Sequence, residues 1–303
     1  MTGLHRRARI KFFIRNELVL LLLGLGGGMP MKSLLTEFLR RKTLESFEYQ
    51  WQNLPAGSAL LSDQWFRKNV ARILSEEELC IDHSWFRGKE VLDAGCGNGR
   101  WTYGFLQLGA SVTALDASQA ACTAIQRTFE KKQRLSVVQA NLLSLPNEIT
   151  ERQFDLVFSW GVLHHTGNAE QAMKKLAALV NPDGLMYLYL YGKESLRAWS
   201  RTMLEIKRSL LLPFSPNTKK RILSFLYPGQ ALHGAFDLFA TPINERFDES
   251  TVRRWVSEAG FDRAVRTIHH TELFVKAWRS GASAERFFTK PKEPPYWFQK
   301  LSH

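Results

Sequence analysis

Apolar positions along this chain follow two spacings. Short, almost continuous apolar runs fall at 89–94, 111–116, 135–140, 154–160 and 185–191. Between them, at 99–108, 118–129 and 168–180, apolar residues recur every three or four positions. The first spacing predicts buried strands and the second amphipathic helices, and their alternation predicts a parallel sheet covered on both faces. Ahead of this pattern, 32–45 reads as a helix with Leu34, Leu35, Phe38 and Leu39 on one face. A second helix, 62–78, turns Trp65, Val70, Ile73 and Leu74 inward. Residues 193–247 interrupt the alternation. There Leu196, Trp199, Met203, Leu204, Ile206, Leu210 and Leu211 form an apolar stripe interspersed with Arg197, Arg201, Lys207 and Arg208, ended by Pro213 and Pro216. Another helix is expected over 219–227. Such a stripe is in most cases a packing face, and a basic amphipathic helix can also lie on a membrane interface. Asp248 has the position of an N-cap and Gly260 that of a residue just past a helix end. Runs 264–269 and 273–278 are further strands.

The ends are of a different character. Residues 1–29 place a basic stretch (Arg6, Arg7, Arg9, Lys11) before an apolar run, Leu18–Leu23, and a glycine-rich one. This has the outline of a signal peptide. The apolar run falls short of the roughly 20 residues that span a bilayer, and no small-residue cleavage site follows. A start at Met29 or Met31, or a loose tail, is the preferred reading. The tail from 282 carries Pro291, Pro294 and Pro295 and reads as irregular. The predicted division is an extension (1–30), a helical cap (31–87), a core domain (88–281) with its insertion (193–247), and a tail (282–303).

Charge changes this picture in one respect. The net +12 is uneven: residues 1–42 carry +7, 43–192 carry −3, 193–235 carry +6, 236–275 carry −2 and 276–303 carry +4. A slightly acidic core with basic additions suits an anionic partner or simply a solvated surface. Three separated cysteines, Cys80, Cys96 and Cys122, show no metal spacing and no disulfide framework, so a reducing cytoplasm is the expected compartment. The eight histidines form no metal-ligand set and no metal is predicted.

Candidate chemistry centres on Val91-Leu92-Asp93-Ala94-Gly95-Cys96-Gly97-Asn98-Gly99-Arg100. A strand end, a glycine turn and a helix start make a site where backbone can approach a nucleotide-like ligand. The spacing is G-x-G-x-G, with Arg100 where a dinucleotide fold would place its last glycine. Asp93, Asp116, Asn141 and Ser159 all fall at carboxyl ends of predicted strands, where ligands of such sheets bind. They converge on one pocket.

The glycine turn with its preceding acid resembles motif I of the class I S-adenosylmethionine (SAM) dependent methyltransferases. Asp116, at the end of Ser111–Asp116, resembles the family's ribose-binding acid. Val137–Leu142, Phe154–Trp160 and Asn181–Tyr191 are similar to its third, fourth and fifth strands. The resemblance covers roughly 88–192 and implies a Rossmann-like α/β fold. Its seven-stranded, mostly parallel sheet has helices on both faces and is closed by an antiparallel hairpin. An N-terminal helical segment and a helical lid insertion are added to it. It implies SAM as cofactor, held by Asp93, Gly95, Cys96, Gly97, Gly99, Asp116, Ala117, Asn141, Leu142 and Ser159. Asp93 would serve the methionine end, directly or through turn amides. Asn141 departs from the more common Asp, and its carbonyl oxygen would accept from adenine. Phe47-Glu48-Tyr49-Gln50-Trp51 is similar to the lead-in of one bacterial subgroup, whose N-terminal segment folds over the cofactor. Val162-Leu163-His164-His165-Thr166 is similar to a loop facing the substrate, which makes His165, and after it His164, candidates for a general base.

The resulting expectation is methyl transfer to a small molecule, quinone-like, natural-product or cell-envelope precursor, on an unassigned O, N or C atom. A tRNA methyltransferase using the basic additions ranks lower, since no nucleic-acid module is present. Two further rivals are a SAM-binding subunit without catalysis and a peripheral membrane enzyme.

Overall fold

The computed structural model describes residues 29–54, 63–129, 133–229, 231–279 and 287–294. The signal-peptide-like segment therefore lies outside the described residues, as does the tail except for 287–294. Helix α1 (Met29–Asn53) leads, followed by α2 (Gln64–Arg72), which widens into a π-helical turn at Ile73–Glu78. The sheet and its helices then alternate: β1 (Glu90–Ala94), α3 (Arg100–Gln107), β2 (Ser111–Asp116), α4 (Gln119–Thr128), β3 (Leu135–Gln139), the short α5 (Asn147–Thr150), β4 (Phe154–Trp160), α6 (Ala169–Ala177) and β5 (Val180–Leu190). The insertion holds α7 (Ala198–Leu211), α8 (Pro216–Leu226), α9 (Ala231–Ala235) and a π-helical turn at Phe236–Ala240. Helix α10 (Glu249–Glu258), β6 (Arg263–Arg266) and β7 (Leu273–Trp278) close the domain.

The seven strands lie in the order β3-β2-β1-β4-β5-β7-β6. The first five are parallel, and β7 pairs antiparallel with both β5 and β6. Strand alternation sends Val91, Leu156, Phe158 and Tyr187 to one face. Leu92, Val157, Met186 and Leu188 go to the other. Each face buries a large apolar cluster under its helices, as a parallel sheet requires.

Several expectations shift in detail. The first helix runs to Asn53, so Phe47–Trp51 is helical. In α2 Phe66 turns inward with Val70, while Trp65 is half exposed. Asp248 occupies the N-cap position of α10, but its carboxylate caps no amide and pairs with Lys193. The Asn181–Gly184 turn lies inside β5 as a register shift against β4. Lastly, the apolar stripe of α7 is split: Leu204 is buried and Leu211 packs inward, whereas Trp199, Met203, Ile206 and Leu210 are exposed and Arg208 is buried opposite them.

Helix α1 and the insertion together roof the carboxyl ends of the parallel strands. Two small apolar clusters hold the roof together. Leu35 and Leu39 meet Leu212 and Ile243, and Leu54 meets Leu223, Phe236 and Ala240.

Candidate active site

The glycine turn leaves β1 with its amides already engaged. Gly95 and Cys96 N–H groups both donate to the Leu115 carbonyl, at 2.6 and 3.0 Å. Gly97 N–H donates to Asp116 Oδ2 at 2.9 Å. The turn is thus stitched to the end of β2. Gly95 has φ +87°, and a Cβ there would stand 2.2 Å from Val162 Cγ2. Gly97 has φ +52°, and a Cβ there would stand 2.8 Å from the Trp51 ring, which lies on the bare backbone. Positive φ and close approach both require glycine.

A cavity of about 2100 Å³ opens over this turn. Ligand pockets are commonly 300–1000 Å³, so the volume has room for two molecules side by side. Its floor is Gly95, Cys96, Gly97, Asp116, Ala117, Asn141 and Leu142. Asp116 accepts Gly97 N–H and, through Oδ1, Ser118 N–H at 2.8 Å. Each oxygen keeps acceptor capacity for the cavity. Burial raises its pKa and these two amides oppose the rise. Asn141 folds its Oδ1 onto Leu143 N–H at 2.9 Å, and one lone pair is left for a ligand.

Three of the expected binding residues stand behind the wall. Asp93 is buried, accepts from Thr102 Oγ at 2.6 Å, and is pushed up to about 7 by burial. Gly99 is the N-cap of α3. Ser159 Oγ donates to the Ala94 carbonyl at 3.0 Å, tying β4 to β1. None of the three lines the cavity. They hold its floor in shape.

At the other end the walls are Trp160, Tyr189, Tyr191, His165 and Arg246, and the roof adds Trp51, His233 and Asp237. His165 Nδ1 lies 2.7 Å from the Ile243 carbonyl. A carbonyl only accepts, so Nδ1 carries the proton and Nε2 is the basic nitrogen. Nε2 faces Asp237 Oδ1 at 3.5 Å, and Tyr191 Oη donates to Asp237 Oδ2 at 2.8 Å. Burial lowers the His165 pKa, and the Asp237 charge opposes this. Its neighbour His164 is fully buried outside the lining, stacked on Tyr191 at 3.8 Å, with neither ring nitrogen hydrogen-bonded.

The sequence offered the Ser159 or Trp160 backbone for the methionine end, and of the two only Trp160 lines the cavity; it assigned no role to Arg100, Tyr189, Tyr191, His233, Asp237 and Arg246, which line it as well. A signal existed for the tyrosines: Tyr187, Tyr189 and Tyr191 alternate with leucines and share one face of β5 and its extension. Arg100 was visible only as the residue after the turn. Its guanidinium lies over Trp160 at 4.3 Å, and burial lowers its pKa to about 10. Beneath it, Glu78 Oε1 accepts from Trp160 Nε1 at 2.8 Å and from Tyr187 Oη at 2.6 Å.

This strand order, with a glycine turn after β1 and an acid after β2 at one cavity, is the arrangement that the resemblance to class I SAM-dependent methyltransferases implied. The chain matches, over residues 91–184, the family model described as "Methyltransferase domain". It is 29% identical over 101 residues to a ubiquinone biosynthesis O-methyltransferase of Coxiella burnetii, covering 33% of this chain and 43% of that protein. It is 30% identical over 142 residues to the mitochondrial one of Schizosaccharomyces pombe, covering 46% and 49%. The chain thus spans less than half the length of these two relatives. Among solved structures, a 1,6-didemethyltoxoflavin-N1-methyltransferase from Burkholderia thailandensis is 19% identical over 84% of this chain and 92% of that one, with a TM-score of 0.48.

Proposed function

We propose that this chain transfers a methyl group from SAM to a hydroxyl of a planar, largely apolar acceptor. One observation carries the reading: a single cavity runs from the glycine turn and Asp116 to an aromatic end that holds His165. The floor suits the cofactor. Asp116 has two acceptor sites for ribose hydroxyls, and Asn141 and Leu142 border the adenine position. Arg100, a cavity-lining guanidinium in no ion pair among the described residues, suits the methionine carboxylate. The bound cofactor supplies an electrophilic methyl on a sulfonium. The protein's task is to align the acceptor and exclude water.

Trp160, Tyr189 and Tyr191 offer flat faces to a planar ring. His165 takes the hydroxyl proton on Nε2. The neutral ring gains nothing from Asp237, whereas the protonated ring forms an ion pair with it. The pair therefore stabilises the charge that develops during transfer. The O-methyltransferase relatives agree with a hydroxyl acceptor, at an identity that leaves the acceptor itself open.

Calorimetric titration with S-adenosylhomocysteine tests the cofactor half. Binding is expected in the native chain and its loss in Asp116→Ala. Equal binding by both would remove Asp116 from the site. Turnover of labelled SAM with phenolic acceptors tests the other half. Methylation of amines but not of phenols would overturn the hydroxyl assignment.

A further inference from the structure

Helix α7 buries Leu204 but turns a larger apolar side outward. Trp199, Met203, Ile206 and Leu210 follow at steps of four, three and four, which is one side of a helix. That side is in solvent, with Trp199 at 67% and Leu210 at 58% exposure. The opposite side buries Arg208, whose Nε donates to the Leu238 carbonyl at 2.7 Å. Helix α8 likewise buries a cation while leaving apolar side chains in solvent. Phe225 is 88% and Leu226 60% exposed, while Lys219 is buried and its Nζ donates to the Ala240 carbonyl at 3.2 Å. Both cations anchor on the Phe236–Ala240 turn. The exposed apolar side of α7 therefore faces away from that turn, and Phe225 and Leu226 stand in solvent at the C-terminal end of α8.

An apolar face of this size on a folded domain marks something that covers it. Charge selects the occupant. Residues 193–235 carry eight Lys and Arg against two acids. Arg197, Lys207 and Arg221 are exposed on or beside the two helices, while Glu205 is paired with the buried Arg208. Large apolar side chains with flanking cations and few free carboxylates match an anionic bilayer surface, where the apolar groups enter the acyl boundary and the cations meet headgroups. No helix among the described residues is long and apolar enough to cross a membrane. The face also adjoins the cavity. Tyr227, next after Leu226, lines it and stacks on Phe239, over whose ring Lys207 Nζ lies at 5.5 Å.

We infer that the exposed sides of α7 and α8 form a docking face for anionic membranes, which holds the mouth of the cavity against the lipid surface. The inference is independent of the methyl-transfer reading. Its test is co-sedimentation of the full chain at low salt with vesicles of phosphatidylcholine alone or of phosphatidylcholine mixed with phosphatidylglycerol, whose negative surface potential attracts basic residues. Trp199→Ser/Phe225→Ser and Lys207→Glu/Arg221→Glu are the variants, all at exposed positions, with S-adenosylhomocysteine binding and thermal midpoint as controls for folding. The native chain is expected to bind only the anionic vesicles, and each double variant to bind at least ~10-fold more weakly with both controls unchanged. Absence of binding by the native chain overturns the inference. So does binding that neither variant weakens, which would move the contact to another segment such as residues 1–28. If sedimentation velocity shows a dimer that the Ser variants dissociate, the face is an interface between two copies and the inference also falls.

Discussion

Glu78→Gln gives a quantitative check on the layer beneath the cavity. Glu78 is fully buried. Burial is the main force on it and raises its pKa from 4.5 to about 7; the bonds from Tyr187 and Trp160 and the charge of Arg100 oppose the rise. An acid held above its unfolded value keeps its proton in the native state while the unfolded chain loses it. Stability therefore falls as pH rises from 4.5 to about 7. At about 1.4 kcal/mol per pH unit, the full cost above neutrality is roughly 3 kcal/mol. Gln removes it. Both hydrogen bonds are accepted by Oε1, and Oε2 has no partner, so an amide oxygen keeps both. Denaturant titrations of the two proteins from pH 5 to 8 should show Gln gaining about 2.5 kcal/mol on Glu across that range. A difference that stays flat would refute the reasoning and would mean that Arg100 already neutralises an ionised Glu78.

Two further outcomes follow from the site. Gly95→Ala should cost about 1–2 kcal/mol for its positive φ and about 1–3 more for the collision with Val162; in the same denaturation assay, adding Val162→Ala should recover part of the second cost and none of the first, since Val162 Cβ itself would stand 2.8 Å away, and a neutral Gly95→Ala would refute the packing. His165→Asn should keep S-adenosylhomocysteine affinity and lower kcat by ~10²–10⁴-fold. With the His165 pKa lowered from 6.5 by burial, the native enzyme should lose kcat/KM only as pH falls below that value; an acid limb centred above it would count against His165 as the base.

The sheet and the turn were legible because their determinants are local. Apolar runs fixed β1 to β5, and Asp93, the glycines and Asp116 follow one another at short range. What was not legible depends on which way a side chain points. Ser159 and His164 each sit one residue out of phase with the lining Trp160 and His165, and a strand or turn puts such neighbours behind the wall. His233 and Asp237 lie four apart on one helical face, but only the folded insertion brings that face over β5. Only Leu204 and Leu211 of the α7 stripe pack inward, for the converse reason. Periodicity shows that a helix has an apolar side and does not show which side the protein covers.

The roof has apolar clusters of its own, made from α1 and the insertion alone. What ties it to the layer below is largely polar: Arg40 to the Thr166 carbonyl, Glu48 to Ser118 and Ala120, and His165 to the Ile243 carbonyl. Water can replace such bonds one at a time as it cannot replace a shared apolar core. The roof is thus a cooperative unit separate from the sheet, able to lift without melting what lies beneath. Amide protons of α7 and α8 should then exchange through an opening far shallower than global unfolding, while those of β1 and β4 wait for the whole domain to unfold. A cavity closed on top can in this way admit and release two ligands in every turnover while the floor that aligns them stays intact.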